Sequence, residues 1–161
     1  MLIRAAEPDD VDVLHEFIVA LAKDEDFPGP VTARPQDVAG ALFGSQPVAE
    51  AVLAIIDGQP AGFALFYPTY STISGRQGIH LEDLYVRPAH RGGGHGARLL
   101  GALARICDEH GWARLEWNVL DWNAPAIGFY DRLGARSNEG WTTFRLTGDA
   151  LGAAARHYSP G

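Results

Sequence analysis

The sequence predicts an α/β fold: a mixed, twisted β-sheet flanked by helices. Three observations carry that expectation. Apolar, β-friendly runs over 51–56 and 61–67 flank Asp57-Gly58, a hairpin dipeptide. A further run over 79–86 feeds a glycine-rich turn that opens an amphipathic helix. Strand, helix and closing strand then follow, and strands first with βαβ alternation after is the element order of a mixed sheet.

Composition bounds the rest. The chain has 161 residues, 47% hydrophobic and 20% charged, enough for one domain that buries roughly 70% of its unfolded surface. A single domain over 1–161 is therefore expected. Cys107 is the only cysteine, so an internal disulfide and a cysteine-ligated zinc site are excluded. The six histidines show no helical metal-ligand spacing, and no metal is expected. The amino terminus lacks the apolar core of a signal peptide, and no apolar run approaches the ~18 residues of a membrane span. A soluble cytoplasmic protein is expected. The formal net charge is -7, and Lys23 is the only lysine. Such a surface disfavours nucleic acid and anionic membrane as partners and favours cationic ligands weakly.

The elements follow in order. Residues 2–5 suit a short strand. Pro8 fits a first helical turn, and Val11, Leu14, Ile18 and Leu21 recur at helical spacing up to the acidic Asp24-Glu25-Asp26 loop. A weaker helix spans 35–43. The two hairpin strands come next, with Pro60 at a strand margin. In the 79–86 strand, simple alternation places Leu81, Asp83 and Tyr85 on one face and Glu82, Leu84 and Val86 on the other. After the glycine turn, Leu99, Leu103 and Ile106 form an apolar stripe that Leu100 and Cys107 widen, and Gly111 caps the helix. A strand over 114–119, a helix over 123–133 and a closing strand over 141–146 complete the order.

The glycine-rich turn has two readings. As a strand–helix connection it needs glycine for conformation alone. As an anion site, its helix-opening N–H groups lack internal partners and the helix dipole favours negative charge. Arg91 adds a charge-assisted contact in the second reading. It is a poor ATP site, because Gly96 is followed by Ala97-Arg98 where a P-loop needs Lys-Ser/Thr. It is a poor dinucleotide site, because it lies mid-chain after a hairpin.

Arg91-x-x-Gly94-x-Gly96, preceded by Leu84-Tyr85-Val86-Arg87-Pro88, resembles the pyrophosphate-binding signature of the GNAT superfamily of acetyl-CoA-dependent N-acetyltransferases. The second half of that pattern is present as the run from Asp121-Trp122-Asn123 to Gly128-Phe129-Tyr130, followed by Leu133-Gly134-Ala135. Within the superfamily the chain is most similar to the diamine (spermidine/spermine or thialysine) N-acetyltransferases. Leu21-Ala22-Lys23, Phe63-Ala64-Leu65-Phe66-Tyr67, the run from His80 to Val86, and Glu139-Gly140-Trp141 fall in family order. The resemblance covers about 2–151. It implies an enzyme that moves an acetyl group from acetyl-CoA to the primary amine of a small cationic substrate, by direct attack in a ternary complex. Cys107 sits in an apolar stripe, which argues against an acetyl-cysteine intermediate.

The resemblance also implies roles. Glu82 is the candidate base, against the simpler readings that it binds the ammonium or caps a bulge. Tyr130 is the candidate acid for the departing thiolate, against an aromatic of the helix core. Backbone groups of Leu84, Tyr85 and Val86 are expected on the pantetheine arm, and Arg91, Gly92, Gly93, Gly94, His95, Gly96 and Ala97 around the pyrophosphate. Asn123, Ala124, Pro125 and Ala126 are expected on the cofactor's other side, although Asn123 also suits a helix N-cap. For the amine, Asp24, Glu25, Glu82, Glu116, Trp117, Asn118 and Glu139 are candidates; for Asp24 and Glu25 a solvated loop is the alternative. Ser71, Thr72 and Ile73 stand where polyamine acetyltransferases carry an acidic residue and a tryptophan. A shorter diamine, a lysine-like amino acid or another primary amine therefore stays open. Homodimerisation, with Trp141 and the closing strand at the interface, is expected from the family. Acetylation of a protein lysine, an amino terminus or an antibiotic amine is the alternative activity, and a non-catalytic acyl-CoA-binding module is a further one.

Overall fold

Hairpin chemistry sets the centre of the sheet. Asp57 and Gly58 both adopt positive φ, 50° and 78°, the conformation of a two-residue turn matched to strand twist. That turn joins β2 (Glu50–Ile56) to β3 (Gln59–Ser71), and β3 returns as β4 (Arg76–Val86). With β1 (Leu2–Ala5) and β5 (Leu115–Trp117), they form one sheet in the order β1-β2-β3-β4-β5. The first three pairings are antiparallel and β4–β5 is parallel, so the sheet is mixed, as expected. The structure, a computed structural model, describes residues 1–158. They fall into two compact units, the first Met1–Ile127 and the second starting at Gly128.

In the first unit, α1 (Val11–Asp24) and α2 (Pro35–Phe43) cover one face of the sheet. Leu14, Phe17, Val38 and Leu42 pack there on Ala51, Leu53, Phe63 and Tyr85. Pro8 opens a separate 3₁₀ turn (Pro8–Asp10) ahead of α1. Asp10 is anchored there by the Arg4 guanidinium at 2.6 and 2.8 Å and the Glu7 N–H at 2.8 Å. Helix α3 (His95–Glu109) packs on the other side of β2, β3 and β4, burying Leu99, Leu100, Leu103 and Cys107 in the stripe the sequence spacing marks.

Helix α4 (Ala124–Arg132) begins in the first unit and ends in the second. The second unit also holds α5 (Gly148–Ala155). The closing strand expected over 141–146 does not form: among the described residues that segment has no regular structure, and Trp141 and Phe144 are 81% and 92% exposed. Apolar–polar patterning defines a strand only where a neighbour completes its ladder, and among the described residues no strand pairs with this segment. Among the described residues no helix is long and apolar enough to cross a membrane.

Candidate active site

The site is built around one extra residue in β4. Leu65 and Phe66 are consecutive in β3, yet they pair with Asp83 and Leu81. Glu82 is the residue left over, a β-bulge that re-aims its side chain. The bulge also reverses the alternation, which corrects the expected faces. Leu81 shares the α3 face with Phe66, whereas Asp83 and Tyr85 share the α1 face with Leu65 and Phe63. Asp83 and Glu82 are therefore electrostatic neighbours and are not separated by the sheet.

A carboxylate cluster results. Burial first, then the charges of Glu82 and Glu25, push the Asp83 carboxyl up to about 6. Burial and then the Asp24 charge raise Glu25, the residue that closes α1. Tyr67, across from His80, is held protonated above the usual phenol range by burial first and then by Glu82 as charge and hydrogen-bond acceptor; the Glu116 charge adds to this. Glu82 Oε2 lies 3.9 Å from His80 Nε2. Glu116, the register partner of His80 on β5, lies 3.2 Å from the Arg114 Nε. Among the described residues no Lys or Arg pairs with Glu25, Glu82 or Asp83.

Beside this cluster the sheet opens. Parallel pairing covers only Ile79 to Leu81 against Leu115 to Trp117. Among the described residues, β4 from Glu82 to Val86 has β3 on one side and no strand paired on the other. The backbone edge of Leu84, Tyr85 and Val86 is thus open for an extended ligand to pair with. Val86 C=O accepts from the Arg91 Nε at 2.8 Å.

The turn after β4 is shaped for an anion. Gly92 and Gly94 adopt φ of 80° and 74°, and Gly94 is the N-cap of α3. That left-handed start aims the amides of His95, Gly96 and Ala97 outward from the helix end. A Cβ on Gly93 would stand 2.7 Å from His95 Nε2. This small-residue cradle at the start of a 15-residue helix fits a pyrophosphate. The Arg91 guanidinium has partners within the chain. It forms an ion pair with Asp24 and lies over the Tyr85 ring at 5.5 Å. Arg87 ties α1 a second time, through Glu16 at 2.8 Å and over the Phe17 ring at 4.7 Å.

A family model for acetyltransferases, described as the Acetyltransferase (GNAT) family, matches residues 17–135. The chain belongs to that family. It is 35% identical over 162 residues to the thialysine N-epsilon-acetyltransferase of Sus scrofa, covering 94% of this chain and 95% of that one. It is 30% identical over 196 residues to the L-ornithine N5-acetyltransferase NATA1 of Arabidopsis thaliana, covering 94% and 86%. The fold matches that of an integron cassette protein from the mobile metagenome of V. cholerae with a TM-score of 0.79 at 24% identity, covering 96% and 97%. The protein is thus a GNAT acetyltransferase, a family that uses acetyl-CoA.

Several expected site residues of the acetyltransferase converge in its first unit: Glu25, Glu82 and Glu116 near the bulge, and Leu84, Tyr85 and Val86 on the open edge. Trp117 ends β5 and Asn118 is exposed just beyond it. Asn123 is an N-cap, its Oδ1 accepting from the Ala126 N–H at 3.2 Å. Ala124 and Pro125 are exposed and Ala126 half-buried in the same turn. Tyr130 and Glu139 belong to the second unit; Tyr130 is half-buried on α4 with its ring centroid 5.1 Å from that of Phe129, and Glu139 is exposed. Period-two alternation does not mark Asp83, Tyr67 and His80 as members of the carboxylate face. A bulge signal at Glu82 would have found them, because it alone moves Asp83 to the Glu82 side. Among the described residues no group of three or more His, Cys, Asp and Glu is arranged to hold a metal ion.

Proposed function

We propose that this acetyltransferase moves the acetyl group of acetyl-CoA to a primary amine of a small cationic substrate, a diamine, polyamine or lysine-like amine, by direct attack in a ternary complex. The observation that carries the reading is the bulge at Glu82. It gathers Glu25, Glu82 and Asp83, which among the described residues have no pairing Lys or Arg, beside the open edge of β4. Carboxylates so arranged attract ammonium groups and hold a distal one while the reacting nitrogen sits at the edge. Thialysine and ornithine, named in the relatives, are both small cationic amines, which supports the same substrate class.

The chemistry follows from these groups. An alkylammonium of pKa ~10 is not nucleophilic until it loses a proton. Glu82 accepts that proton, directly or through one water. The thioester supplies the acyl group. Backbone groups of Leu84, Tyr85 and Val86 pair with the pantetheine arm and polarise its carbonyl, while the amides from Gly92 to Ala97 hold the pyrophosphate. Asn123, Ala124, Pro125 and Ala126 line the cofactor's other side. Tyr130 protonates the departing thiolate. With Asp24 bound to Arg91, Glu25 is the carboxylate of that pair that meets the amine. Glu116, Trp117, Asn118 and Glu139 complete the amine's surroundings.

The chain is read as one catalytic domain, since the family match runs across the boundary between its two units. It is read as a homodimer, supported by the exposed Trp141 and Phe144 of the second unit.

The test is CoA release from acetyl-CoA across putrescine, spermidine, spermine, ornithine, lysine, thialysine, an aminoglycoside and a lysine peptide. Saturable turnover with small cationic amines is expected. Turnover confined to the peptide or the aminoglycoside would overturn the substrate class, and acetyl-CoA binding without any turnover would overturn the enzyme.

A further inference from the structure

His80 sits at the centre of the carboxylate face, and the chemistry above leaves it without a task. By register it lies between Tyr67 of β3 and Glu116 of β5. Its ring stacks on Tyr67, with centroids 5.0 Å apart and planes 23° from parallel. Its Nε2 faces Glu82 Oε2 at 3.9 Å, a separation that catalytic pairs close when substrate binds.

Glu82 meets a difficulty that this arrangement resolves. In the free protein its side chain is 55% exposed, and water can take its proton away. The amine must occupy that exposed side for Glu82 to act on it, which removes the water. On the protein side Glu82 acts on Tyr67 as a hydrogen-bond acceptor and has His80 Nε2 at 3.9 Å. Tyr67 is a phenol held in its protonated form and cannot receive a proton. An imidazole can, and it is the side chain that exchanges protons with water near neutral pH.

We propose that His80 is a positioning residue for the base: it receives, through Glu82, the proton drawn from the amine and returns it to solvent. The inference rests on the reading of Glu82 as the base. The step balances. The ammonium gives one proton to the Glu82 carboxylate, the carboxylic acid passes it to Nε2, and the imidazolium releases it to water. The neutral amine then forms the C–N bond as the C–S bond breaks, and the new amide nitrogen gives up its second proton to solvent; the thiolate takes one from Tyr130, which solvent refills, so that one proton is released overall.

The groups that face His80 set the sign of its pH dependence. They are Tyr67 from β3, Glu82 and Asp83 from β4, and Glu116 with its partner Arg114 from β5; Glu25, from the end of α1, acts through Asp83. An imidazole that already carries the proton can receive nothing further, so a path through Nε2 gives the rate an acid limb that removal of the imidazole moves.

The experiment compares wild type, His80→Phe, His80→Gln and Glu82→Gln in the full chain, with acetyl-CoA saturating. kcat and amine KM are followed across pH, with and without imidazole in the buffer. His80→Phe keeps the stack on Tyr67, and His80→Gln keeps a polar side chain, so a folding failure of one leaves the other informative. Both should lose about tenfold in kcat at neutral pH, with amine KM within about threefold. The acid limb of the profile should move, and added imidazole should restore kcat in both His80 variants but not in Glu82→Gln. Wild-type kcat in both His80 variants beside an inactive Glu82→Gln would overturn the proton path alone. A loss without a moved acid limb or an imidazole response would reduce His80 to packing and also overturn it. A Glu82→Gln enzyme at wild-type rate would overturn the base and the path together.

Discussion

The Arg91 guanidinium and the Asp24 carboxylate form an ion pair that ties the turn ahead of α3 to the end of α1. Asp24 thereby has a cationic partner, while Glu25, the next residue, has no paired Lys or Arg among the described residues and its charge acts on Asp83. Two neighbouring acids are expected to behave differently. Asp24→Asn should cost at most about 1 kcal/mol of stability, as a half-exposed pair does, and leave the amine KM within about twofold. Glu25→Gln should raise the amine KM about fivefold, the ratio given by ~1 kcal/mol of lost attraction. Steady-state kinetics with the best amine and a denaturant melt of each variant check both.

Asp83 makes a prediction about pH. Its folded pKa of about 6 lies above the ordinary value of 3.8, so the folded state holds this proton more tightly than the unfolded chain. Folding is favoured as pH falls from about 6 toward 4, and the ionised Asp83 destabilises the protein above about 6. Asp83→Asn should raise stability near neutral pH by on the order of 2 kcal/mol, a gain that disappears near pH ~4. Because a bound ammonium favours the ionised carboxyl, the wild-type amine KM should climb below about pH 6 and that of the variant should not. Urea melts and amine KM at the two ends of this range test the sign.

The cradle glycines separate by geometry. Gly94 has a φ of 74° with open space where a Cβ would go, and Gly93 has ordinary φ with the mobile His95 ring as its obstacle. Gly94→Ala should cost about 1–2 kcal/mol from left-handed strain and weaken acetyl-CoA binding. Gly93→Ala should cost less, because His95 can turn aside. Calorimetric titration with acetyl-CoA and thermal melts of the two variants distinguish them.

Tyr130 is tested by removing one atom. Tyr130→Phe should lower kcat about a hundredfold, in the range of a lost general acid, with acetyl-CoA affinity nearly intact. An unchanged kcat would take Tyr130 out of the reaction.

Much of this fold is legible in the chain because local signals and burial agree. The spacing of Leu99, Leu103 and Ile106, widened by Leu100 and Cys107, marks the apolar face of α3, all of it buried except the half-buried Ile106, and Asp57-Gly58 closes the hairpin by its own conformational preference. The glycine turn is legible as a strand–helix connection since positive φ at Gly92 and Gly94 favours glycine. The carboxylate face was hidden for a different reason. Period-two alternation assumes one residue per step, and the extra residue at Glu82 exists only in relation to Leu65 and Phe66 of β3. The partnership of Arg91 with Asp24, 67 positions apart, has no local signature either. Over 141–146 the pattern of Trp141, Phe144 and Leu146 suited a strand, but a ladder needs a neighbour that sequence does not display. Helix α5 escaped notice because Gly148 and Gly152 weaken its helical signal.

The central claim is that the Glu25, Glu82 and Asp83 carboxylates select a substrate with a second positive charge. The most direct measurement is the ratio of kcat/KM for a diamine to that for the monoamine of equal chain length, taken near neutral pH at saturating acetyl-CoA. A ratio of at least about tenfold is expected, corresponding to ~1.4 kcal/mol of added attraction, and it should shrink in Asp83→Asn and Glu25→Gln. A ratio near one in the wild type would contradict the account.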